Sequence, residues 1–260
     1  MKLSNKTAVV FGCNGLIAQA ICKKLSEEGC KLIVTDLKKE QADTVTSEIK
    51  DSTAIGVDVR SQKEIIDAVE TAIKKYDKID LVVNCSRIAL FKEAVELTEN
   101  EWDTIVDFNT KSMYYIAKAV LKNMIDNNQG AIIGITSKTA NSGPANLSAY
   151  SASMNASIGF LRSLSCEVRN NTIRVNAICP GFIEHEELVL GAELTNNAPP
   201  DKGIYIQFSP LINVANEPEA LANLIAFLAS EKGEFITGQA YSLWDDDLTY
   251  YRNLGQMAEF

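Results

Sequence analysis

The turn that follows the first apolar run contains the residues best suited to bind a phosphate. The run Thr7–Phe11 has strand length, Gly12–Ala18 follows it, and a segment of helical period comes next. Glycines let the backbone turn tightly and approach a pyrophosphate, whose charge is stabilised by the N–H groups and the positive dipole end of the helix. The candidate pyrophosphate-binding residues are Gly12, Asn14, Gly15, Leu16 and Ile17.

A carboxylate closes the second apolar run. Asp36 follows Lys31–Thr35, and at this position it can accept hydrogen bonds from both ribose hydroxyls of an adenosine, whereas it would repel a 2′-phosphate. The glycine turn and the carboxylate together predict a dinucleotide site that favours NAD(H). Lys38 and Lys39 lie nearby and keep NADP(H) as the less favoured alternative.

The elements that must position these residues alternate along the chain, in a pattern typical of βαβ units and a parallel sheet. The predicted strands are Thr7–Phe11, Lys31–Thr35, Thr53–Val57, Leu81–Asn84, Ala131–Thr136, Arg174–Ile178 and Gln239–Leu243. The predicted helices are Ile17–Glu28, Lys39–Lys50, Gln62–Tyr76, Glu101–Asn127, Tyr150–Val168 and Pro218–Ser230. We expect residues 1–260 to form a single α/β domain, a Rossmann-type doubly wound seven-stranded parallel sheet with helices on both faces.

The amino-acid composition limits the kinds of molecule that the protein is expected to bind. The net charge of −9 and the pI near 4.8 oppose binding to nucleic acid, because such binding draws on clustered Lys and Arg. No apolar stretch approaches the roughly 20 residues that span a bilayer, and the first residues lack a signal-peptide apolar region, so we expect a cytoplasmic protein. Six scattered cysteines and one histidine indicate free buried thiols and no metal site.

A second set of residues follows the later strands. Ser137 comes directly after the fifth apolar run, Tyr150 lies 13 residues further on, and Asn109 falls inside the preceding long helix. On these residues and the glycine turn, the chain resembles the short-chain dehydrogenase/reductase family over residues 7–249. The resemblance implies hydride transfer between a nicotinamide dinucleotide and a carbonyl or secondary alcohol, within the NAD(P)-binding fold expected above.

The resemblance also implies roles for individual residues. Tyr150 would exchange a proton with the substrate oxygen, Ser137 would orient that oxygen, and Asn109 would support the proton path. Further residues would contact the dinucleotide, in addition to the glycine turn and Asp36. They are Asp58, Val59, Asn84, Tyr150, Pro180, Gly181, Ile183 and His185.

One family residue is missing. The position four after Tyr150, where the family has a lysine, is Met154. In the family that lysine holds the nicotinamide ribose and lowers the tyrosine pKa from about 10 toward neutrality. Such a shift is worth about 4 kcal/mol, which one unit charge at about 4 Å supplies. Because a protonated phenol donates a proton but is a poor base, we expect a bias toward reduction.

Three cations are candidates to replace the lost charge, namely Lys138, Lys111 and Arg87. Each is also compatible with an ordinary surface charge.

The stretch from about 184 to 213 lacks clear periodicity and is interpreted as a substrate loop, with a plain solvated loop as the alternative. His185, the single histidine, stands where the family has a threonine. An imidazole there is suited to proton transfer, although an exposed loop histidine explains it equally simply.

Three functions are compatible with these residues. The first is an NAD(H)-dependent oxidoreductase acting on a small carbonyl or secondary alcohol, and the second is a catalytically silent nucleotide-binding homologue that serves as a sensor or scaffold subunit. The third is a dehydratase or isomerase that uses Tyr150 and His185 without net hydride transfer. The resemblance further implies a homo-oligomer, either a dimer or a tetramer, and no membrane partner is expected.

Overall fold

The computed structural model describes residues 3–181 and 218–243. Its central feature is a seven-stranded sheet in the order β3-β2-β1-β4-β5-β6-β7, with every neighbouring pair parallel. The strands are β1 (Thr7–Phe11), β2 (Lys31–Asp36), β3 (Ser52–Gly56), β4 (Leu81–Asn84), β5 (Gly130–Ile135), β6 (Ile173–Cys179) and β7 (Ala240–Ser242). The strand order reverses between β1 and β4, which is where ligands bind in sheets of this type.

The helices of the described residues connect these strands. They are α1 (Leu16–Glu27), α2 (Lys39–Ser47), α3 (Gln62–Tyr76), α4 (Glu99–Val106), α5 (Ser112–Asp126), α6 (Thr139–Ser142), α7 (Ser148–Glu167) and α8 (Pro218–Ala229). A five-residue π-helical turn, Asp107–Lys111, joins α4 to α5. Short 3₁₀ turns cover Arg169–Asn171 and Glu231–Gly233.

The sheet is buried on both faces because alternate side chains of each central strand enter two different apolar clusters. In β1, Val9 and Phe11 pack into the cluster beneath α3, α5 and α7, whereas Ala8 and Val10 pack into the cluster beneath α1 and α8. This alternation follows from the two-residue period of a strand. It explains why every residue of β1, β4 and β5 is buried, as expected of strands in a parallel sheet covered on both sides.

The predicted fold class is confirmed, and each strand bound either matches the expectation or differs from it by one residue. The largest difference is the predicted helix Glu101–Asn127, which is α4, the π-helical turn and α5 in the structure. A side chain inside this turn, Asn109, bonds to two other parts of the chain, and helical periodicity contains no signal of such contacts. The short helix α6 was likewise not predicted.

Several sequence predictions fall outside the described residues. They concern the proposed substrate loop, Ile183 and His185. Among the described residues, no helix is long and apolar enough to cross a membrane, and no group of His, Cys, Asp or Glu is arranged to hold a metal ion. All six cysteines are free, but the prediction that they are buried is wrong for Cys166, which is exposed on the outer side of α7.

Candidate functional site

The first turn depends on glycine at position 12. Gly12 has a φ of 75°, and a Cβ atom there would lie 2.5 Å from Ser86 Oγ and 2.8 Å from the Ser86 backbone nitrogen. The loop after β4 therefore lies directly against the loop after β1. Since both the conformation and the space exclude a side chain, this close approach explains the glycine physically.

Helix α1 begins without a cap of its own. Gly15 is its N-cap and makes no side-chain hydrogen bond, and the first turn contains no acidic residue. The N–H groups of the first turn are thus left for another acceptor, and the positive end of the helix dipole favours an anion. Leu16 is partly exposed at this end, while Ile17 is fully buried and anchors the turn to the core. These properties fit a pyrophosphate.

Asp36 and Asn14 are brought together as the next part of the site. Asp36 Oδ2 accepts a hydrogen bond from the Asn14 backbone N–H at 3.0 Å, and Oδ1 accepts one from the Leu37 N–H at 2.8 Å. Burial raises the pKa of this carboxyl, although the N–H groups oppose that effect. The carboxylate stands beside the glycine turn, where an adenosine ribose would lie, but the Asn14 N–H is engaged with it rather than with a phosphate.

Asp58 follows β3 and is held by an arginine that sequence reasoning missed. The Arg60 guanidinium donates to both carboxylate oxygens of Asp58, with Nη2 to Oδ2 at 2.7 Å and Nε to Oδ1 at 3.0 Å. Partial burial raises the pKa of Asp58, but the hydrogen bonds from Arg60 outweigh that effect and lower it overall. Val59 is buried in the core next to it. The i, i+2 spacing was the available signal for this pair.

Asn84, at the end of β4, stabilises the loop that lies against Gly12. Its Oδ1 accepts a hydrogen bond from the Ser86 backbone N–H at 3.0 Å. Asn84 is buried, so the contact is shielded from water. The side chain therefore fixes the position of Ser86, and through Ser86 it fixes the close approach of the two loops.

Asn109 connects three elements from within the π-helical turn. Its Oδ1 accepts from the Ile88 N–H at 2.8 Å, and its Nδ2 donates to the Ile88 carbonyl at 2.9 Å and to Ser153 Oγ at 2.9 Å. Ser153 Oγ in turn donates to the Tyr150 carbonyl at 2.7 Å. The amide thus ties the loop after β4 to the first turns of α7, which carry Tyr150.

Ser137 follows β5, and its hydroxyl accepts two hydrogen bonds. The donors are the Thr139 backbone N–H at 3.2 Å and the Thr139 hydroxyl at 3.0 Å. A serine oxygen has two acceptor positions and one proton. The Thr139 backbone N–H and hydroxyl thus hold the Ser137 oxygen in place, and the Ser137 proton can turn toward a further oxygen.

Tyr150 and Met154 share one buried face of α7. Both side chains are 2% exposed, and both belong to the apolar cluster beneath this helix. Residues four apart lie one above the other on a helix. The position where the resemblance predicts a lysine is therefore filled by an apolar side chain within the core.

The three candidate replacement cations have different surroundings. Lys111 is exposed and pairs with Asp107 at 3.1 Å, as expected of a surface charge. Arg87 is half-buried on the loop after β4. Lys138 is 7% exposed, and its backbone N–H donates to the Pro180 carbonyl at 2.8 Å.

The hydrogen bond from the Lys138 N–H to the Pro180 carbonyl joins the loop that follows β5 to the loop that follows β6. Pro180 is buried and Gly181 is half-buried, so the Pro-Gly pair leaves the sheet next to the residue that follows Ser137. The glycine turn after β1, Asp36 at the end of β2 and Ser137 after β5 thus lie at one edge of the sheet. The hydrogen bonds through Asn109 and Ser153 tie the turn of α7 that carries Tyr150 to the loop after β4. Such a set can bind a dinucleotide and transfer a proton to or from a substrate oxygen.

Comparison with known proteins identifies the family. The family model described as short chain dehydrogenase matches residues 6–189. The chain is also 32% identical over 246 residues to a 3-oxoacyl-(acyl-carrier-protein) reductase of Chlamydia muridarum, a match that covers 93% of this chain and 96% of that one. The protein therefore belongs to the short-chain dehydrogenase family.

Further matches agree in fold. A 3-oxoacyl-(acyl-carrier-protein) reductase of Thermotoga maritima is 29% identical over 250 residues, covering 94% of this chain and 98% of that one. The crystal structure of gox2181 superposes with a TM-score of 0.81 at 27% identity, covering 93% of this chain and 95% of that one. A 3-ketoacyl-(acyl-carrier-protein) reductase from Brucella melitensis complexed with NADH gives the same TM-score at 24% identity, covering 93% and 98%, and shows the fold alone.

Proposed function

We propose that this member of the family is an NAD(H)-dependent oxidoreductase that works mainly as a carbonyl reductase. The observation that carries the proposal is the hydrogen bonding of Ser137, whose two acceptor positions are engaged by Thr139. A hydroxyl held in this way can donate its proton to a carbonyl oxygen, and we infer the bias toward reduction from the apolar Met154 beside Tyr150. The family relationship supports oxidoreductase chemistry in general.

The residues present fit a nicotinamide dinucleotide. Gly12, Gly15, Leu16 and Ile17 would receive the pyrophosphate at the uncapped start of α1. Asp36 supports NAD(H) over NADP(H), because a carboxylate repels a 2′-phosphate. The chemistry that the dinucleotide supplies when bound is a hydride. Asp58, Val59, Asn84, Pro180 and Gly181 remain proposed contacts at the same edge of the sheet, together with Ile183 and His185 from outside the described residues.

In the proposed mechanism the protein supplies the proton. Ser137 donates a hydrogen bond to the carbonyl oxygen and orients it, and Tyr150 delivers its phenolic proton to that oxygen as negative charge develops there. Asn109 acts as a positioning residue, because it holds the first turns of α7 and the loop after β4 in register. With Met154 in place of the family lysine, the phenol lacks the charge that would favour its ionised form, which favours proton donation.

The relatives suggest where to look for substrates. Several are named 3-oxoacyl-(acyl-carrier-protein) reductases, so 3-oxo compounds belong in the first panel to be tested. NADH oxidation should be followed with such a panel, comparing wild type with Tyr150→Phe and Ser137→Ala. We expect turnover by wild type and a loss of about 100-fold or more in each variant. Equal rates in wild type and Tyr150→Phe would refute the assigned proton donor.

A catalytically silent nucleotide-binding protein is the second candidate. The observation that favours it is the burial of Met154 in the apolar cluster beside Tyr150, since the family's cation is replaced by a side chain that packs. This candidate predicts NADH binding without turnover of any carbonyl compound. No observation on the described residues favours a dehydratase or isomerase.

The domain organisation, the oligomeric state and the cellular location are part of the same proposal. A single domain and a homo-oligomer, either a dimer or a tetramer, remain proposed, and the partly exposed Trp102 and Tyr114 on α4 and α5 support the oligomer. A cytoplasmic location is supported by the free cysteines, because thiols persist in reducing compartments.

A further inference from the structure

Lys138 is a buried lysine with an unusual environment. Three charged residues are classed as buried in the described part of the chain, namely Asp80, Glu101 and Lys138. Asp80 pairs with Lys6 and Lys78, and Glu101 pairs with Lys92. Within residues 3–181 and 218–243, no side chain forms a hydrogen bond or an ion pair with the Lys138 ammonium. Among the described residues, the fully enclosed polar side-chain atoms that lack a partner are Thr35 Oγ1, Ser112 Oγ and Ser151 Oγ. The Lys138 ammonium is not one of them, so it remains accessible to an anionic ligand at the end of a largely buried side chain.

The backbone of Lys138 is fixed on both sides. Its N–H donates to the Pro180 carbonyl at 2.8 Å, and its carbonyl accepts from the Asn141 N–H at 2.9 Å and from the Ser142 N–H at 3.2 Å. The residue is therefore held where β5 and β6 end, one peptide bond from Ser137. Its side chain therefore starts from the same edge of the sheet as the Ser137 hydroxyl.

The location separates this charge from the dinucleotide phosphates. The glycine turn follows β1, whereas Lys138 follows β5, and β4 lies between these two strands. Two strand spacings amount to about 10 Å. Lys138 therefore lies on the Ser137 side of this edge, away from the glycine turn.

We propose that Lys138 binds a carboxylate of the substrate, so that the enzyme prefers 3-oxo acids whose carboxylate is free over the corresponding esters or thioesters. This inference rests on the proposed function and names the substrate class of the same site. A charge-assisted hydrogen bond between an ammonium on a largely buried side chain and a carboxylate is strong enough to set such a preference. The carboxylate would also satisfy the otherwise unpaired ammonium.

The experiment compares acetoacetate with ethyl acetoacetate, which present the same ketone with and without the negative charge. We expect wild type to reduce acetoacetate with the higher kcat/KM, and Lys138→Met to lower kcat/KM for acetoacetate by about tenfold or more while changing that for the ester by less than about threefold. Lys122→Met is the control, because Lys122 is highly exposed on α5, and it should change neither substrate. An equal loss on both substrates in Lys138→Met, or no loss on either, would overturn the proposal.

Two further measurements do not depend on turnover. Calorimetry of the NADH-saturated protein, in which 3-hydroxybutyrate cannot be oxidised, should show tighter binding of this hydroxy acid to wild type than to Lys138→Met, and equal affinities would overturn the inference. Because a bound ligand stabilises the protein that binds it, 3-hydroxybutyrate should raise the melting temperature of the NADH-saturated wild type more than that of Lys138→Met. Failure of NADH to bind wild type would instead refute the proposed function, since Lys138 lies away from the dinucleotide turn.

Discussion

Asn109 and Ser153 are joined by a hydrogen bond of 2.9 Å from the amide Nδ2 to the serine Oγ, although 44 residues separate them in the chain. The same amide makes two bonds to the backbone of Ile88. One side chain therefore holds the loop after β4, the π-helical turn and the first turns of α7 in a fixed arrangement. Tyr150 is placed by this arrangement, because Ser153 Oγ donates to its carbonyl.

Asn109→Ala should destabilise the protein by about 3 kcal/mol, because it leaves the N–H and carbonyl of buried Ile88 without partners. Urea unfolding measures this change. Asn127→Ala is the matched control, since Asn127 is exposed and bonds only within its own helix end, and it should change the free energy of unfolding by less than about 0.5 kcal/mol. Similar changes in the free energy of unfolding for the two variants would contradict the role of Asn109 in holding these three segments together.

Gly12→Ala should abolish dinucleotide binding, because the new Cβ atom would collide with Ser86 in addition to straining the backbone. Gly143→Ala separates these effects, since Gly143 also has a positive φ, of 57°, but has nothing within 4 Å of a Cβ position. We expect Gly143→Ala to cost about 1 kcal/mol of stability and to leave NADH affinity unchanged. Loss of NADH affinity in both variants would show that conformation, rather than the approach of the two loops, governs the site.

Glu101 should make stability depend on pH in the acidic range. Hydrogen bonds from Thr98, helped by the Lys92 ammonium, lower the pKa of this carboxyl from 4.5 to about 2. The ionised form is therefore favoured in the folded state, so its stabilisation is present above the ordinary pKa and is lost as pH falls from 4.5 toward 2. In Glu101→Gln, stability at neutral pH should drop and this part of the pH dependence should disappear. Glu96→Gln, at an exposed position, should retain the wild-type profile.

Met154→Lys should increase alcohol oxidation more than ketone reduction. A cation one helical turn from Tyr150 would favour the phenolate, which is the form that accepts a proton from an alcohol. Rates in both directions with the same substrate pair measure the effect, and Met154→Leu is the control of similar volume. A gain confined to reduction, or oxidation by wild type as fast as reduction at neutral pH, would contradict the proposed bias.

The parts of the fold that depend on local periodicity could be predicted from the sequence. The strands β1 and β4 and the helix α3 begin and end at the predicted residues, because alternation and helical period are local properties. The π-helical turn around Asn109 could not be predicted, since it is stabilised by contacts with Ile88 and Ser153, which lie far away in the chain.

The residue types of the candidate site could be predicted better than the hydrogen-bond partners of those residues. Glycine and carboxylate spacing indicated the turn and Asp36, but not that Asp36 accepts from the Asn14 N–H. Nothing local distinguished Lys138 from Lys111 as a candidate cation. Their burial differs because the Lys138 backbone is fixed at the ends of two strands, whereas Lys111 pairs with Asp107 on an exposed helix surface.

The most direct test is calorimetric titration of wild type with NADH and with NADPH, repeated on Asp36→Ala. The proposal predicts that NADH binds wild type at least about tenfold more tightly than NADPH, and that Asp36→Ala loses this preference because the charge that repels a 2′-phosphate is gone. Tighter binding of NADPH than of NADH to wild type would contradict the assigned cofactor. Absence of measurable binding by either nucleotide would contradict the oxidoreductase and the silent nucleotide-binding protein alike.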